Sequence, residues 1–428
     1  MFSEFIGNLA ISNAETISLR YGELTSALNR EFRDTDSKTA NTLQVGSFGR
    51  KTGIDQISDL DMLYIVPTSS WDTYKDGGQL RLLQDTKAAV LARYPRTTVC
   101  VDRLVVRVSY TDFHVEVQPV FEQGDGSFKY PDTKSGGTWK ITKPREEMAA
   151  VSDLDAATNS NLRRLCKMAR AWKNKHGVGM GGLLIDTLAY NFLDGTSDYD
   201  DKSYLYYDEM SRDFFAFLSQ LPAQDGYAAP GSGQRVRVKK PFQRKAKKAY
   251  GLCLKAIESE GNDGVDAKWR RVFGRPFPTS ETETVAEKSS FLWENTEEFI
   301  EDRYPVDIGY SLTIDCEVKQ HGFREHMLRE MIARSMPLLA KMQLEFRVID
   351  VDVPEPYSIE WKVLNRGSEA RRRNKIRGQI VPDDDTQTKT EPTMFKGDHL
   401  VECYAIKDGV VVAKDRVHVP IATNGDNA

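Results

Sequence analysis

The run Asp59-Leu60-Asp61-Met62-Leu63-Tyr64-Ile65-Val66 is rich in Leu, Met, Tyr, Ile and Val and alternates in character; it predicts a β-strand. Residues i and i+2 of a strand point to the same face. Asp59 and Asp61 therefore project together, while Leu60 and Met62 turn into a core. A fold built on this strand must bury one face and keep two acids on the other. About a dozen residues earlier, the segment Leu43-Gln44-Val45-Gly46-Ser47-Phe48-Gly49-Arg50 supplies a Gly-Ser turn.

Two carboxylates side by side repel unless a cation sits between them. Mg²⁺ suits them, because it takes hard oxygen ligands and completes its shell with phosphate and water. Two such ions roughly 3.5–4 Å apart activate an attacking hydroxyl and stabilise leaving pyrophosphate. Gly46 lets backbone approach phosphates closely, and Ser47 offers its hydroxyl and N–H to them. A third carboxylate is expected from a neighbouring strand. In Phe113-His114-Val115-Glu116-Val117-Gln118-Pro119 the apolar face is Phe113, Val115 and Val117, and Glu116 sits centrally on the polar face. Glu116 is thus the candidate third ligand, with Asp112 and His114 behind it. Asp-x-Asp alone most often marks a solvated strand edge; the ordered set of turn, paired acids and a later acidic strand is far more specific.

The run Thr42–Thr52 with Ser58-Asp59-Leu60-Asp61 resembles the bacterial cGAS/DncV-like nucleotidyltransferases (CD-NTases), in particular their SMODS domain. Tyr130-Pro131-Asp132, Gly136-Gly137-Thr138-Trp139-Lys140, Thr142-Lys143-Pro144-Arg145 and Met168–Lys173 agree. The resemblance covers about residues 1–285. It implies an enzyme that links nucleoside triphosphates, ATP among them, into cyclic di- or trinucleotide second messengers for antiphage (CBASS) signalling. It also implies two Mg²⁺ ions, replaceable by Mn²⁺, on Asp59, Asp61 and Glu116, and nucleotide contacts from Gln44, Gly46, Ser47 and Lys167. Two departures stand out. The third acid is often Asp in relatives and is Glu116 here. The Lys-Ser-Tyr-like phosphate motif is replaced by Gly179-Met180-Gly181-Gly182-Leu183-Leu184-Ile185-Asp186. The motif is shared with enzymes that make linear oligonucleotides or modify RNA ends, and a catalytically silent nucleotide sensor is a further alternative.

At 428 residues the chain is long enough for two or three domains. A net charge of −4 argues against a long nucleic acid as partner. No stretch approaches the roughly 18 apolar residues of a membrane span, and no signal peptide is evident. Five dispersed cysteines read as reduced thiols in a cytoplasmic setting.

Along the chain, helix is expected over 4–35, Gln79–Tyr94 and Asn161–Lys173, a strand over Val101–Tyr110 and a loop over Glu122–Gly137. Residues 145–275 are expected to be mainly helical. In the 161–173 helix, Arg163, Arg164, Lys167 and Arg170 form a basic face, solvated for most of them; the resemblance singles out Lys167. The basic run 234–248 places Arg235, Arg237 and Lys239 on one side of an extended segment, either surface or near the nucleotide. A linker is read at Pro276–Ser290. Beyond it come a strand at Tyr310–Val318, a helical pattern over Phe323–Gln343 broken at Pro337, and strands at Leu344–Val351, Ile359–Val363, His399–Ile406 and Val410–Val419. Asp408-Gly409 signals a hairpin turn between the last two.

Trp361–Ala370, Ile376–Ile380 and Gly397–Tyr404 resemble the AGS-C sensor domain over about 295–422, which implies a bound ligand. Arg371, Arg372, Arg373, Lys375 and Arg377, with Trp361, His399 and Tyr404, could hold a nucleotide, or could be loop caps and sandwich core. The tail 422–428 is polar. The expected architecture is α+β: a polymerase-beta-like nucleotidyltransferase sheet with a helical OAS1-like lobe, then a β-rich C-terminal sandwich, divided as 1–145, 146–285 and 286–428. A downstream effector is expected to respond to the product and not by contact.

Overall fold

The computed structural model describes residues 1–56, 59–111, 113–279, 297–319, 325–340, 342–365, 369–370 and 377–422. Ser58, Asp112, most of the expected linker, the Arg371–Arg373 and Lys375 cluster and the tail from 423 lie outside them. The chain forms two compact units: residues 1–171 with 182–278, and residues 172–181 with 279–428.

In the first unit α1 (Phe2–Asn8) and α2 (Ala14–Arg33) precede β1 (Thr42–Gln44), the short α3 (Gly46–Gly49) and β2 (Asp59–Ile65). Then come α4 (Trp71–Tyr74), α5 (Gln79–Arg93), β3 (Thr98–Asp102), β4 (Val105–Ser109), β5 (His114–Glu122), β6 (Phe128–Asp132) and β7 (Thr138–Thr142). The strands make a 7-stranded sheet in the order β1-β2-β5-β4-β3, with β6 and β7 continuing from β5. β2 and β5 run parallel, with Asp59 opposite His114 and Asp61 opposite Glu116. The expected alternation holds: Leu60, Met62, Phe113, Val115 and Val117 are buried among Leu24, Leu28, Leu82 and Leu83 of α2 and α5.

Two expectations for this sheet need correction. Val101–Tyr110 is not one strand but the turn and second arm of the β3–β4 hairpin, reversing at Arg103 with φ 33°. Glu122–Gly137 is not all loop, since β6 pairs with β7 there.

Helices α6 (Pro144–Ala157), α7 (Asn161–His176), α8 (Gly182–Asp194) and α9 (Tyr207–Gln220) follow, then the hairpin of β8 (Gly226–Ala228) and β9 (Arg235–Arg237), then α10 (Gln243–Ile257) and α11 (Val265–Phe273). Phe2 and Phe5 of α1 pack on Trp269 and Phe273 of α11 at centroid separations of 5.0 and 4.9 Å. That edge-on and tilted geometry suits ring quadrupoles.

The second unit has a 4-stranded sheet ordered β11-β10-β13-β16 and a 5-stranded sheet ordered β12-β18-β17-β14-β15. The strands are β10 (Leu312–Lys319), β11 (His326–Met327), β12 (Leu338–Leu339), β13 (Gln343–Val351), β14 (Ser358–Leu364), β15 (Arg377–Pro382), β16 (Thr388–Pro392), β17 (Gly397–Lys407) and β18 (Val410–Ala422). Ile314 and Phe346 of one sheet share a core with Trp361, Cys403 and Ala413 of the other, which makes a sandwich. The turn at Asp408-Gly409, with φ 53° and 76°, is the positive-φ pair that the sequence predicts. The helical expectation over Phe323–Gln343 shrinks to one short helix, Leu328–Ala333, with β11 before it and β12 after. Among the described residues no helix is long and apolar enough to cross a membrane.

Candidate active site

The parallel register gathers the three predicted acids. Asp59 and Asp61 share a face of β2, and Glu116 lies beside Asp61 on β5; all three are half-buried. The Gly46-Ser47 turn packs directly on this face. Val45 N–H donates to the Asp61 carbonyl at 3.0 Å. Gly46 has φ +63°, and a Cβ there would lie 1.7 Å from Asp61 Oδ2. Only glycine fits, for conformation and for space alike. His114 Nε2 stands 3.6 Å from Glu116 Oε1.

This donor set fits a divalent cation: hard oxygens of one sign at adjacent sheet positions, beside a backbone cradle that a side chain would fill. Among the described residues no group of three or more His, Cys, Asp or Glu side chains is placed so that it could hold a metal ion. The acids stand instead at neighbouring register positions.

Beside the turn lies a cleft of about 850 Å³, lined by Gln44, Ser47, Lys51, Met148 and Lys167 among others; Gly46, Asp59, Asp61 and Glu116 are not part of its lining. It brings together three of the predicted nucleotide contacts, Gln44, Ser47 and Lys167, while Gly46 packs against Asp61. Lys167 is held below the usual lysine range, by burial first and then by Arg163 and Arg170. The remaining basic residues of α7 serve the fold. Arg163 pairs with Asp155 at 2.8 Å and donates to the Arg50 carbonyl. Arg164 donates to the Asn159 carbonyl and lies 4.8 Å over the Tyr204 ring. Arg235, Arg237 and Lys239 alternate to the exposed side as expected, but the cleft lining does not include them.

Sequence reasoning missed a buried ionic knot. Asp186, fully buried on α8, accepts from Arg50 Nε at 2.8 Å, Thr52 Oγ1 at 2.9 Å, and Arg170 Nη1 and Nη2 at 2.5 and 3.1 Å. Burial alone would raise its carboxyl, but Arg170 and Arg50 outweigh burial and hold it at about 2. Glu147, 3.8 Å from Arg50, is pushed up by burial against the pull of Arg50. The sequence signal was an isolated acid inside the apolar run Leu183–Leu188.

In the C-terminal unit Trp361 and Tyr404 take the sandwich-core alternative, while His399 lines a cavity of about 270 Å³ with Arg377 and Glu391. Trp361 is 1% exposed and its Nε1–H donates to Asp383 at 2.8 Å. Tyr404 is 3% exposed and donates to Glu402 at 2.9 Å. His399 is buried, its Nε2 lying 3.2 Å from the Phe395 carbonyl. Rings of alternating strand positions fill a sandwich before they are free for a ligand. Arg377 forms a two-point ion pair with Glu391.

Comparison with known proteins places two domains on the chain. Residues 1–155 match the second messenger oligonucleotide or dinucleotide synthetase domain, and residues 294–422 match the adenylyl/guanylyl and SMODS C-terminal sensor domain. The synthetase-domain match indicates a nucleotidyltransferase of the cyclic oligonucleotide synthase class. The chain is 23% identical over 258 residues, 56% of its length and 73% of the relative's, to a cyclic AMP-AMP-AMP synthase of an Acinetobacter species. The E. coli MS115-1 CdnC in its HORMA-deltaN complex shares the fold at a TM-score of 0.51 and 14% identity, covering 64% of this chain and 96% of that one. Vibrio cholerae DncV, a cyclic AMP-GMP synthase, is matched at a TM-score of 0.45 and 16% identity over 56% of this chain and 70% of its own. Residues 1–155 thus carry a second-messenger synthetase (SMODS) domain and residues 294–422 an AGS-C sensor domain.

Proposed function

We propose that the chain joins nucleoside triphosphates into a cyclic di- or trinucleotide second messenger of antiphage signalling, at the acidic face of β2 and β5. The observation that carries this reading is the register that sets Asp61 beside Glu116, with Gly46 packed on Asp61. Asp59, Asp61 and Glu116 are the residues that would hold two Mg²⁺ ions. Mg²⁺, when bound, neutralises phosphate charge and lowers the pKa of the attacking hydroxyl.

The chain's own groups bind and align. Gln44, Ser47 and Lys167 line the cleft that takes the triphosphate of the donor nucleotide. A ribose hydroxyl of the acceptor forms the new bond to the α-phosphorus, the α–β bond breaks, pyrophosphate leaves and the hydroxyl proton passes to solvent. A second round with the ends exchanged closes a dinucleotide ring, and a third transfer closes a trinucleotide. The acceleration comes mainly from alignment and charge neutralisation.

The test is to incubate the protein with Mg²⁺ and four labelled ribonucleoside triphosphates, treat with phosphatase and weigh the products. A phosphatase-resistant cyclic species, lost in Asp59→Asn/Asp61→Asn, is expected. Phosphatase-sensitive products would point to a linear transferase, and an unchanged double variant would remove these acids from the chemistry.

A further inference from the structure

We propose that Lys51 binds the polyphosphate of the nucleotide, and that Asp186 is the positioning residue that presents it. The inference rests on the reading that the Gly46-Ser47 turn faces the triphosphate. Lys51 sits between two residues whose side chains turn inward. Arg50 is 6% exposed and Thr52 fully buried, and both bond to the Asp186 carboxylate. With its neighbours anchored, Lys51 faces outward, and its backbone adopts φ +61°. A side chain with a Cβ disfavours that conformation, and such strain persists only where the surroundings enforce it. Here the Asp186 knot enforces it, with Arg170 as a further tie.

The same turn is fixed to Ser47. Thr52 and Gly53 N–H donate to the Ser47 carbonyl at 2.9 and 3.1 Å, and Lys51 N–H donates to Phe48 at 3.0 Å. Lys51 and Ser47 are thus held in one relation to each other, and both line the cleft with Lys167. Of the three cleft lysines, Lys38 is paired with Glu23. Lys51 and Lys167 have no carboxylate ion-pair partner among the described residues. Two unpaired ammonium groups facing one cleft, one of them crowded by Arg163 and Arg170, are a site whose charge a polyanion relieves.

Inorganic tripolyphosphate, which has no base, is the probe, titrated calorimetrically against the full chain. Lys51→Gly is the decisive variant, because glycine is at ease at positive φ and removes only the charge and stem. Its thermal midpoint is expected to hold or rise while tripolyphosphate affinity falls about tenfold. Lys51→Arg is expected to retain affinity within about threefold. Thr52→Val, which removes one bond to Asp186, is expected to weaken binding in the wild-type background and not in Lys51→Gly. Wild-type affinity in Lys51→Gly, beside weakened binding in Ser47→Ala, would overturn this proposal alone. Unchanged affinity in both would overturn the site reading as well.

Discussion

Two sheets in this chain carry polar groups on every second residue, with opposite results. On β2 and β5 the three acids lie side by side and half-buried, with Arg107 of β4 in register opposite Glu116. On β14, β17 and β18 the register sets Lys362 opposite Glu402, Glu402 opposite Arg416, and Tyr404 opposite Lys414. There the charges neutralise one another. Lys362 Nζ lies 2.8 Å from Glu297 and 3.6 Å from Glu402. Burial pushes the Glu402 carboxyl up, but Lys362 and Lys414 outweigh it and hold it below its ordinary value. Alternation therefore tells which face is polar; the sign of the charges tells whether that face is finished. A ladder whose charges pair one to one is structural; a face where three acids meet one arginine in register has room for a metal cation.

Substitutions on the two faces should break in opposite ways. Asp61→Asn is expected to cut product formation by on the order of a thousandfold or more. It leaves the thermal midpoint unchanged or raised, because it relieves like-charge repulsion. Activity that falls only with the folded fraction would erase the contrast. Glu402→Gln is expected to do the reverse. It leaves Lys362 and Lys414 poorly compensated and destabilises the C-terminal unit by about 3 kcal/mol, read from its denaturant midpoint. A neutral effect would mean that Glu297 and Glu301 suffice for these lysines.

Acid and alkali sharpen the comparison with smaller effects. Asp186 goes from an ordinary 3.8 to about 2 on folding. Its contribution is thus present above pH 3.8 and lost as pH falls towards 2, about 2 kcal/mol in all. Lys175, in the C-terminal unit, is brought down from 10.5 to about 8 by burial and then by Lys414. The unfolded chain holds that proton up to 10.5, so stability from this group rises between pH 8 and 10.5. Denaturation across pH with Asp186→Asn and Lys175→Met checks both: the first should flatten the acid limb, the second the alkaline one.

Much of this was legible where the signal is local. The Asp59-x-Asp61 strand, the Asp408-Gly409 turn and the polar position of Glu116 follow from period-two alternation and turn chemistry. The β3–β4 reversal was not, because Asp102-Arg103-Leu104 contains none of the Gly, Pro or Asn that usually announce a hairpin. The 323–343 segment carries helical spacing, but β11 and β12 pair its ends into the two sheets, so tertiary contacts override propensity. The Asp186 knot was hidden because its partners lie 136 and 134 residues away. Trp361 and Tyr404 stayed undecided between ligand and core because an aromatic ring on a strand reads alike in either place.

The most direct test of the central claim is to count bound metal. Mn²⁺ binding to the protein, measured by electron paramagnetic resonance with a non-hydrolysable ATP analogue, should show two ions per chain and a loss of both in Asp59→Asn/Asp61→Asn. Undiminished Mn²⁺ binding in that variant would contradict the assignment of the β2–β5 acids as the metal site.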